Sequence, residues 1–128
     1  MVSAVQKRYR LSKREDFSKV YRSGKSAANQ QFVVYSMPNP DIAHFRAGVS
    51  ASKKLGGAVV RNRLRRMVKE IVRNHAANIR PHYDFIIIVR KPALTMDYRG
   101  MEKSLLHLLR KGSLIERDQR EKRKPDND

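Results

Sequence analysis

The sequence predicts an α+β domain, on three observations. Apolar residues recur at helical spacing in three separate stretches, 13–23, 58–73 and 95–111. Residues 30–37 and 43–51 alternate with a period of two, as half-buried strands do. Phe85-Ile86-Ile87-Ile88-Val89 is apolar without alternation, the pattern of a central strand covered on both faces. The resulting order is helix, strands, helix, strand, helix, with no internal repeat and no linker. A chain of 128 residues suggests one domain, able to bury about two thirds of the surface its unfolded form exposes.

Residues 1–11 are basic and aperiodic and read as an extended arm. Ser12-Lys13-Arg14-Glu15 fits a capping box, in which Ser12 and Glu15 satisfy each other's amide groups. The helix that follows, 13–23, carries Phe17, Val20 and Tyr21 on one face, and Gly24 suits a left-handed stop. In the next stretch Phe32, Val34 and Ser36 point one way and Val33, Tyr35 and Met37 the other, so both faces of that strand should be covered. Pro38-Asn39-Pro40-Asp41 is a turn. Ala43, Phe45, Ala47 and Val49 then share one side of a strand, with Arg46, Gly48 and Ser50 on the other.

The helix opening near Ala58 buries a stripe of Val60, Leu64, Met67, Val68, Ile71 and Val72. A separate line, Arg61, Arg65 and Lys69, runs along it at four-residue steps. His75 to His82 is a loop. The strand–helix–strand order around this basic helix implies parallel pairing of the flanking strands. The last helix, 95–111, turns Tyr98, Met101, Leu105, Leu108 and Leu109 inward and ends at Gly112. Residues 1–115 therefore read as one domain with a basic N-terminal arm, and 116–128 as a charged tail without apolar periodicity, expected to be disordered.

Twenty-nine Lys and Arg stand against twelve Asp and Glu, for a net charge of +17. Residues 1–73 hold seventeen of the basic residues and only four acidic ones, so a polyanion-binding surface should come mainly from that part. There is no cysteine, which excludes disulfides and thiolate metal sites. The N-terminus has no apolar run of the signal-peptide type, and Phe85 to Val89 is too short to span a bilayer, so the expected location is the cytoplasm.

Hydrolytic machinery is hard to assemble. His44, His75, His82 and His107 have no metal-ligand spacing, Glu15 and Asp16 diverge on a helix, and Asp84 reads as a strand anchor. Acids are too scarce for a two-metal carboxylate site, and no Ser-His-Asp arrangement is evident. Binding chemistry is abundant. Lys53-Lys54-Leu55-Gly56-Gly57-Ala58 sets a glycine loop at a helix N-terminus, where free amides and the helix dipole favour a phosphate. Arg61-Asn62-Arg63 and Arg65-Arg66 follow; Arg can grip two phosphate oxygens, and Asn can read a base edge or a 2′-hydroxyl. Phe17 and Tyr21, four residues apart, read either as core or, with Tyr35, as a groove on which single-stranded bases stack, with Lys13 and the basic arm following the backbone.

These residues resemble a known family, the protein subunit of bacterial ribonuclease P. The motif is Ser52-Lys53-Lys54-Leu55-Gly56, then Ala58-Val59-Val60-Arg61-Asn62-Arg63 and Arg65-Arg66. Agreement extends through Arg10-Leu11, Glu15-Asp16-Phe17, Gln31-Phe32-Val33-Val34-Tyr35, Asp84-Phe85-Ile86-Ile87-Ile88 and Leu105-Leu106-His107-Leu108-Leu109, covering nearly all of residues 7–112. The resemblance implies a two-layer αβββαβα fold, ribosomal-protein-like, with a mostly antiparallel mixed four-stranded sheet and a left-handed βαβ crossover. It implies endonucleolytic removal of the 5′ leader from precursor tRNA, leaving a 5′-phosphate on the tRNA, with the active site and most of the Mg2+ held by a catalytic RNA subunit. It further implies that Lys53, Lys54, Arg61, Asn62, Arg63, Arg65, Arg66 and Lys69 meet the catalytic RNA, and that Lys13, Phe17, Tyr21, Val33 and Tyr35 line a cleft for the leader. Two positions depart from the family pattern: Tyr21, where Phe is common, and Gly57, where a larger and often polar residue is common. A ribosomal or chaperone-like RNA-binding protein is the alternative class. Less favoured are a duplex-DNA binder using the basic helix and a protein nuclease.

Overall fold

A computed structural model describes residues 9–116. The elements, in chain order, are α1 (Arg14–Ser23), β1 (Lys25–Ala28), β2 (Phe32–Pro38), β3 (Arg46–Ser50), α2 (Ala58–Asn74), β4 (Tyr83–Val89) and α3 (Tyr98–Lys111), with short 3-10 turns at Lys53–Leu55, Ala76–Asn78 and Lys91–Thr95. The four strands form one sheet in the order β1-β2-β4-β3. β1 pairs with β2 and β2 with β4 in antiparallel register, whereas β3 and β4 run parallel. The parallel pair follows from the intervening helix, because a strand that returns through a helical crossover arrives in the same direction it left.

Alternation along the strands divides the core in two. Phe32, Val34, Ala47, Phe85, Ile87 and Val89 face α2 and α3 and pack with Leu64, Val68, Ile71, Val72, Met101, Leu105, Leu108 and Leu109. Ile86 points to the opposite face, where it is buried with Leu11 and Val20 and flanked by Phe17, Tyr35, Met37 and Ile88. β4 lies between β2 and β3, which is why its residues lack polar alternation. Each fully buried Leu, Ile or Phe stabilises by roughly 1.5–3 kcal/mol, so the face under α2 and α3 dominates.

Several local expectations are corrected. α1 begins at Arg14 with Lys13 as its N-cap and no side-chain cap bond, so the Ser12–Glu15 capping box does not form. The chain before it is anchored elsewhere: Leu11 is buried, and its N–H donates to the Ala47 carbonyl at 2.9 Å. Residues 9–11 are therefore packed rather than a free arm; the rest of the expected arm, 1–8, and the expected tail from 117 lie outside the described residues. Gly24 is extended, φ −83° and ψ 165°, not left-handed. A glycine is required there because a Cβ would stand 2.5 Å from the Val20 oxygen and 2.8 Å from the Ser36 oxygen. α3 starts at Tyr98 and not Thr95, because Asp97 caps it, accepting from the Gly100 N–H at 2.8 Å. Ala43, expected on the buried side of its strand, precedes β3 and is exposed.

β1 is an addition to the elements read from residue pattern. Lys25-Ser26-Ala27-Ala28 has little intrinsic strand preference. It is held by its pairing to β2 and by Asn29, whose side-chain oxygen accepts from the Gln31 N–H at 3.0 Å and the Phe32 N–H at 2.9 Å to close the hairpin.

Candidate RNA-binding surfaces

α2 places its cations by helical geometry. Leu64, Val68, Ile71 and Val72 are buried, and Val60 and Met67 are half-buried at the stripe's margins. This fixes the helix's rotation on the sheet. Arg61, Arg65 and Lys69 then fall along one flank, each half-buried, while Asn62, Arg63 and Arg66 are exposed. Within the helix, Arg65 donates to Asn62 Oδ1 at 2.8 Å, and Arg61 Nε donates to the Gly56 carbonyl at 3.2 Å. The Lys69 ammonium is held below the usual lysine range, first by burial and then by the neighbouring Arg10 and Arg65 charges.

The start of α2 is open. Gly56 takes φ 143°, a region that favours glycine, and Gly57 is the N-cap with no side-chain cap bond. A Cβ at Gly57 would meet nothing within 4 Å. Val59, 83 % exposed, stands beside this opening, and Lys53 and Lys54 are exposed just before it. Unbonded first-turn amides, flanking cations and free space together suit an oxyanion.

The opposite face of the sheet carries the aromatics. Phe17 and Tyr21 meet edge to face with centroids 6.3 Å apart, and Tyr21 meets Tyr35 at 5.2 Å and 81°. Phe17 lies on Gly48, where a Cβ would come within 2.5 Å of its Cζ. Tyr21, 39 % exposed, is one helical turn further on. Burial raises its hydroxyl pKa, Ser50 opposes that by hydrogen bonding, and Tyr35 adds a smaller upward push. Beyond these rings Val33, Ile88 and Ser50 stand in register across β2, β4 and β3, all half-buried, and form a floor that α1 leaves partly uncovered. Lys13 is exposed at the head of α1. Phe17 and Tyr35 thus contact the Leu11–Val20–Ile86 core with one side and border the cleft with the other, so core and groove are not exclusive roles for them.

Several carboxylates are engaged structurally. Asp84, buried, accepts from Arg46 Nε at 2.9 Å and Nη2 at 3.0 Å and from Asn39 Nδ2 at 3.0 Å. That pairing raises the Arg46 pKa, and Asp16 lies 3.7 Å from the same guanidinium. Glu70 pairs with Arg73 at 3.1 Å and Glu102 with His75 at 2.8 Å. His44 and His82 each contact a nearby backbone carbonyl through the ring, at 3.2 and 2.6 Å, and the His82 N–H donates to the His44 carbonyl at 3.2 Å. Among the described residues no group of three or more His, Cys, Asp or Glu could hold a metal ion.

The structure brings the sequence-predicted residues into two groups on opposite faces: Lys53, Lys54, Arg61, Asn62, Arg63, Arg65, Arg66 and Lys69 about α2, and Lys13, Phe17, Tyr21, Val33 and Tyr35 about α1 and β2. Residue-level reading assigned no part to Gly48, Ser50 and Ile88, which shape the cleft floor. Gly48 and Ser50 were already placed on one strand side by their alternation, but which helix covers that side is a tertiary fact.

A basic α+β domain with a cationic helix on one face of its sheet and an aromatic cleft on the other is an RNA-binding protein in its architecture. The chain belongs to the ribonuclease P protein family, whose family model, "Ribonuclease P", matches residues 5–113. It is 45% identical over 123 residues to the ribonuclease P protein component of Listeria innocua, covering 96% of this chain and 98% of that one. It is 47% identical to the component of Geobacillus thermodenitrificans over 84% of this chain and 88% of that one. The RNase P protein of Staphylococcus aureus, solved at 2.0 Å, superposes with a TM-score of 0.80 at 43% identity, covering 84% of this chain and 97% of that one. That of Thermotoga maritima gives 0.74 at 34% identity, covering 80% and 96%. The function is accordingly that of the protein component of ribonuclease P, an RNA-binding protein of tRNA processing that works with an RNA subunit.

Proposed function

We propose that the chain acts by positioning: α2 attaches it to the catalytic RNA, and the α1–β2 cleft holds the 5′ leader of precursor tRNA near the RNA's active centre. The observation that carries this reading is the separation of two dissimilar surfaces by one sheet. Cations on α2 suit a folded RNA backbone, and the Phe17, Tyr21 and Tyr35 rings suit unpaired bases. Two RNAs can therefore be held at once without competing for the same residues.

Asp84, Glu70 and Glu102 each answer a cation or a histidine, and among the described residues no group of three or more acids or histidines could hold a metal ion. Magnesium ions held by the RNA would supply the Lewis acidity and the activated water for phosphodiester hydrolysis. The chain's part is to offset repulsion between two polyanions and to fix one end of the substrate, which raises the effective concentration of the scissile phosphate. Its place of work is the cytoplasm.

The test measures affinity of the RNA subunit for precursor and mature tRNA, with and without the protein. The protein should strengthen precursor binding selectively; equal gains for both ligands would sink the leader cleft. Mixing the chain with ribonuclease P RNA and precursor tRNA at low magnesium should give cleavage that neither component gives alone. A ribosomal-type RNA binder would give none.

A further inference from the structure

α2 does not carry its cation line alone. Arg10 lies in the short segment that runs beside β3 and is bridged in parallel to Ala47. Bridged partners project to the same face of a sheet, and Ala47 belongs to the core beneath α2 and α3. Leu11, the next residue, points to the opposite face and is buried there with Val20 and Ile86. Arg10 therefore stands on the α2 face, at the sheet's outer edge beyond β3, the strand over which α2 lies.

Its position is fixed from both sides. Leu11 is 2 % exposed and donates its N–H to the Ala47 carbonyl at 2.9 Å. The Tyr9 ring stacks on Phe45 with centroids 4.8 Å apart and planes 16° from parallel, and meets His44 edge-on at 4.8 Å. The exposed Arg10 side chain thus projects from a backbone held at each neighbour.

Like charges gather there without a counter-charge. Arg65 and Lys69 are one turn apart on the α2 flank, and burial, Arg10 and Arg65, in that order, press the Lys69 pKa down. No described carboxylate makes an ion pair with Arg10, Arg65 or Lys69: Asp16 and Asp84 answer Arg46, Glu70 answers Arg73, Glu102 answers His75 and Glu116 answers Arg80. A group of three cations that no described carboxylate compensates is suited to an anion from outside.

We propose that Arg10, Arg65 and Lys69 together form a phosphate seat for the RNA subunit, in which the segment before α1 supplies the third cation. The inference rests on the reading of α2 as the RNA-subunit surface and extends that surface to a residue 55 positions away in sequence from Arg65. An arginine on a fixed backbone has less freedom to lose on binding than one on a free arm, and its guanidinium can grip two oxygens of one phosphate, while the ammonium and the second guanidinium neutralise it.

The experiment measures binding of the full-length chain to ribonuclease P RNA, without substrate, over a range of salt concentrations. Arg10→Ala should weaken binding and lower the slope of log K against log[salt] by about one. Arg10→Gln, which keeps most of the aliphatic stem, should do the same with the fold intact by circular dichroism. Arg10→Lys should retain the slope, and Arg99→Ala, on exposed α3 surface, should leave both slope and affinity unchanged. The proposal is overturned if Arg10→Ala and Arg10→Gln match Arg99→Ala, or if they lose affinity with an unchanged slope. Arg65→Ala separates the two levels of the argument. If it weakens binding while Arg10 variants do not, only the seat fails; if neither matters, the reading of α2 fails as well.

Discussion

An added Cβ at Gly48 would stand 2.5 Å from Phe17 Cζ and 3.1 Å from the Leu11 carbonyl oxygen. The ring can swing away, but only by leaving its place above the sheet. Gly48→Ala is therefore expected to cost roughly 1 kcal/mol of stability, at the low end for overpacking, and to weaken precursor-tRNA binding by displacing Phe17; urea denaturation and precursor affinity check the two effects. Gly24→Ala meets two backbone oxygens that cannot yield so easily, and its cost should lie nearer 3 kcal/mol. Tyr35→Ala should weaken precursor binding by about 1–3 kcal/mol, the range for one stacked base, with RNA-subunit assembly unchanged. If that variant unfolds instead, the ring's contact with the Leu11–Val20–Ile86 core outweighs its place in the cleft. Tyr21→Phe keeps the ring and removes the hydroxyl near Ser50, so stacking should survive it.

At the scale of elements, α2 balances docking against binding. Its buried stripe holds it to the sheet, and the desolvated Lys69 ammonium beside that stripe weakens the free protein. Lys69→Met keeps the side-chain length and removes a desolvated charge next to Arg10 and Arg65. It should raise Tm by about 2–4 °C and weaken RNA-subunit binding, which calorimetry and filter binding would show together. A variant both less stable and fully binding would contradict that balance. The sign of the pH effect follows from the same shift. Lys69 binds its proton less tightly when folded, so its contribution to stability should improve as pH rises through the lowered folded pKa towards the unfolded value of 10.5. The amphipathic period of α2 was legible from its residues, as were the alternation of β2 and the unbroken run of β4. β1 was not, because Lys25-Ser26-Ala27-Ala28 becomes a strand only when β2 offers its edge. The capping box failed for a related reason: Leu11 and Ala47 tie down the chain entering α1, and Lys13 takes the cap position.

For the whole molecule, net charge and its arrangement act at different ranges. The charge of +17 draws any polyanion and is screened by salt within about 10 Å at 0.1 M. On the proposed reading, specific attachment comes from cations held at fixed positions on α2. The double variant Arg65→Ala/Arg66→Ala should weaken holoenzyme assembly and lower its salt slope by about two, as salt titrations of RNA-subunit binding would measure. Precursor affinity of complexes saturated with this variant should stay near that of the unmodified protein, because α1 and the cleft lie on the other face of the sheet.

Local chemistry in the sequence determined the element types other than β1, the cationic face of α2, the scarcity of acids and, through the Arg61-Asn62-Arg63 motif, the family. Those properties depend on neighbours three or four residues away on a helix or two away on a strand. The tertiary structure alone decided what distant segments share: Phe17 over Gly48, Arg46 and Asn39 on Asp84, and Arg10 bridged to Ala47. Each joins residues brought together by sheet order and by the side of the sheet a helix covers. Strand pairing and packing set those two quantities over the whole chain, and no local period encodes them.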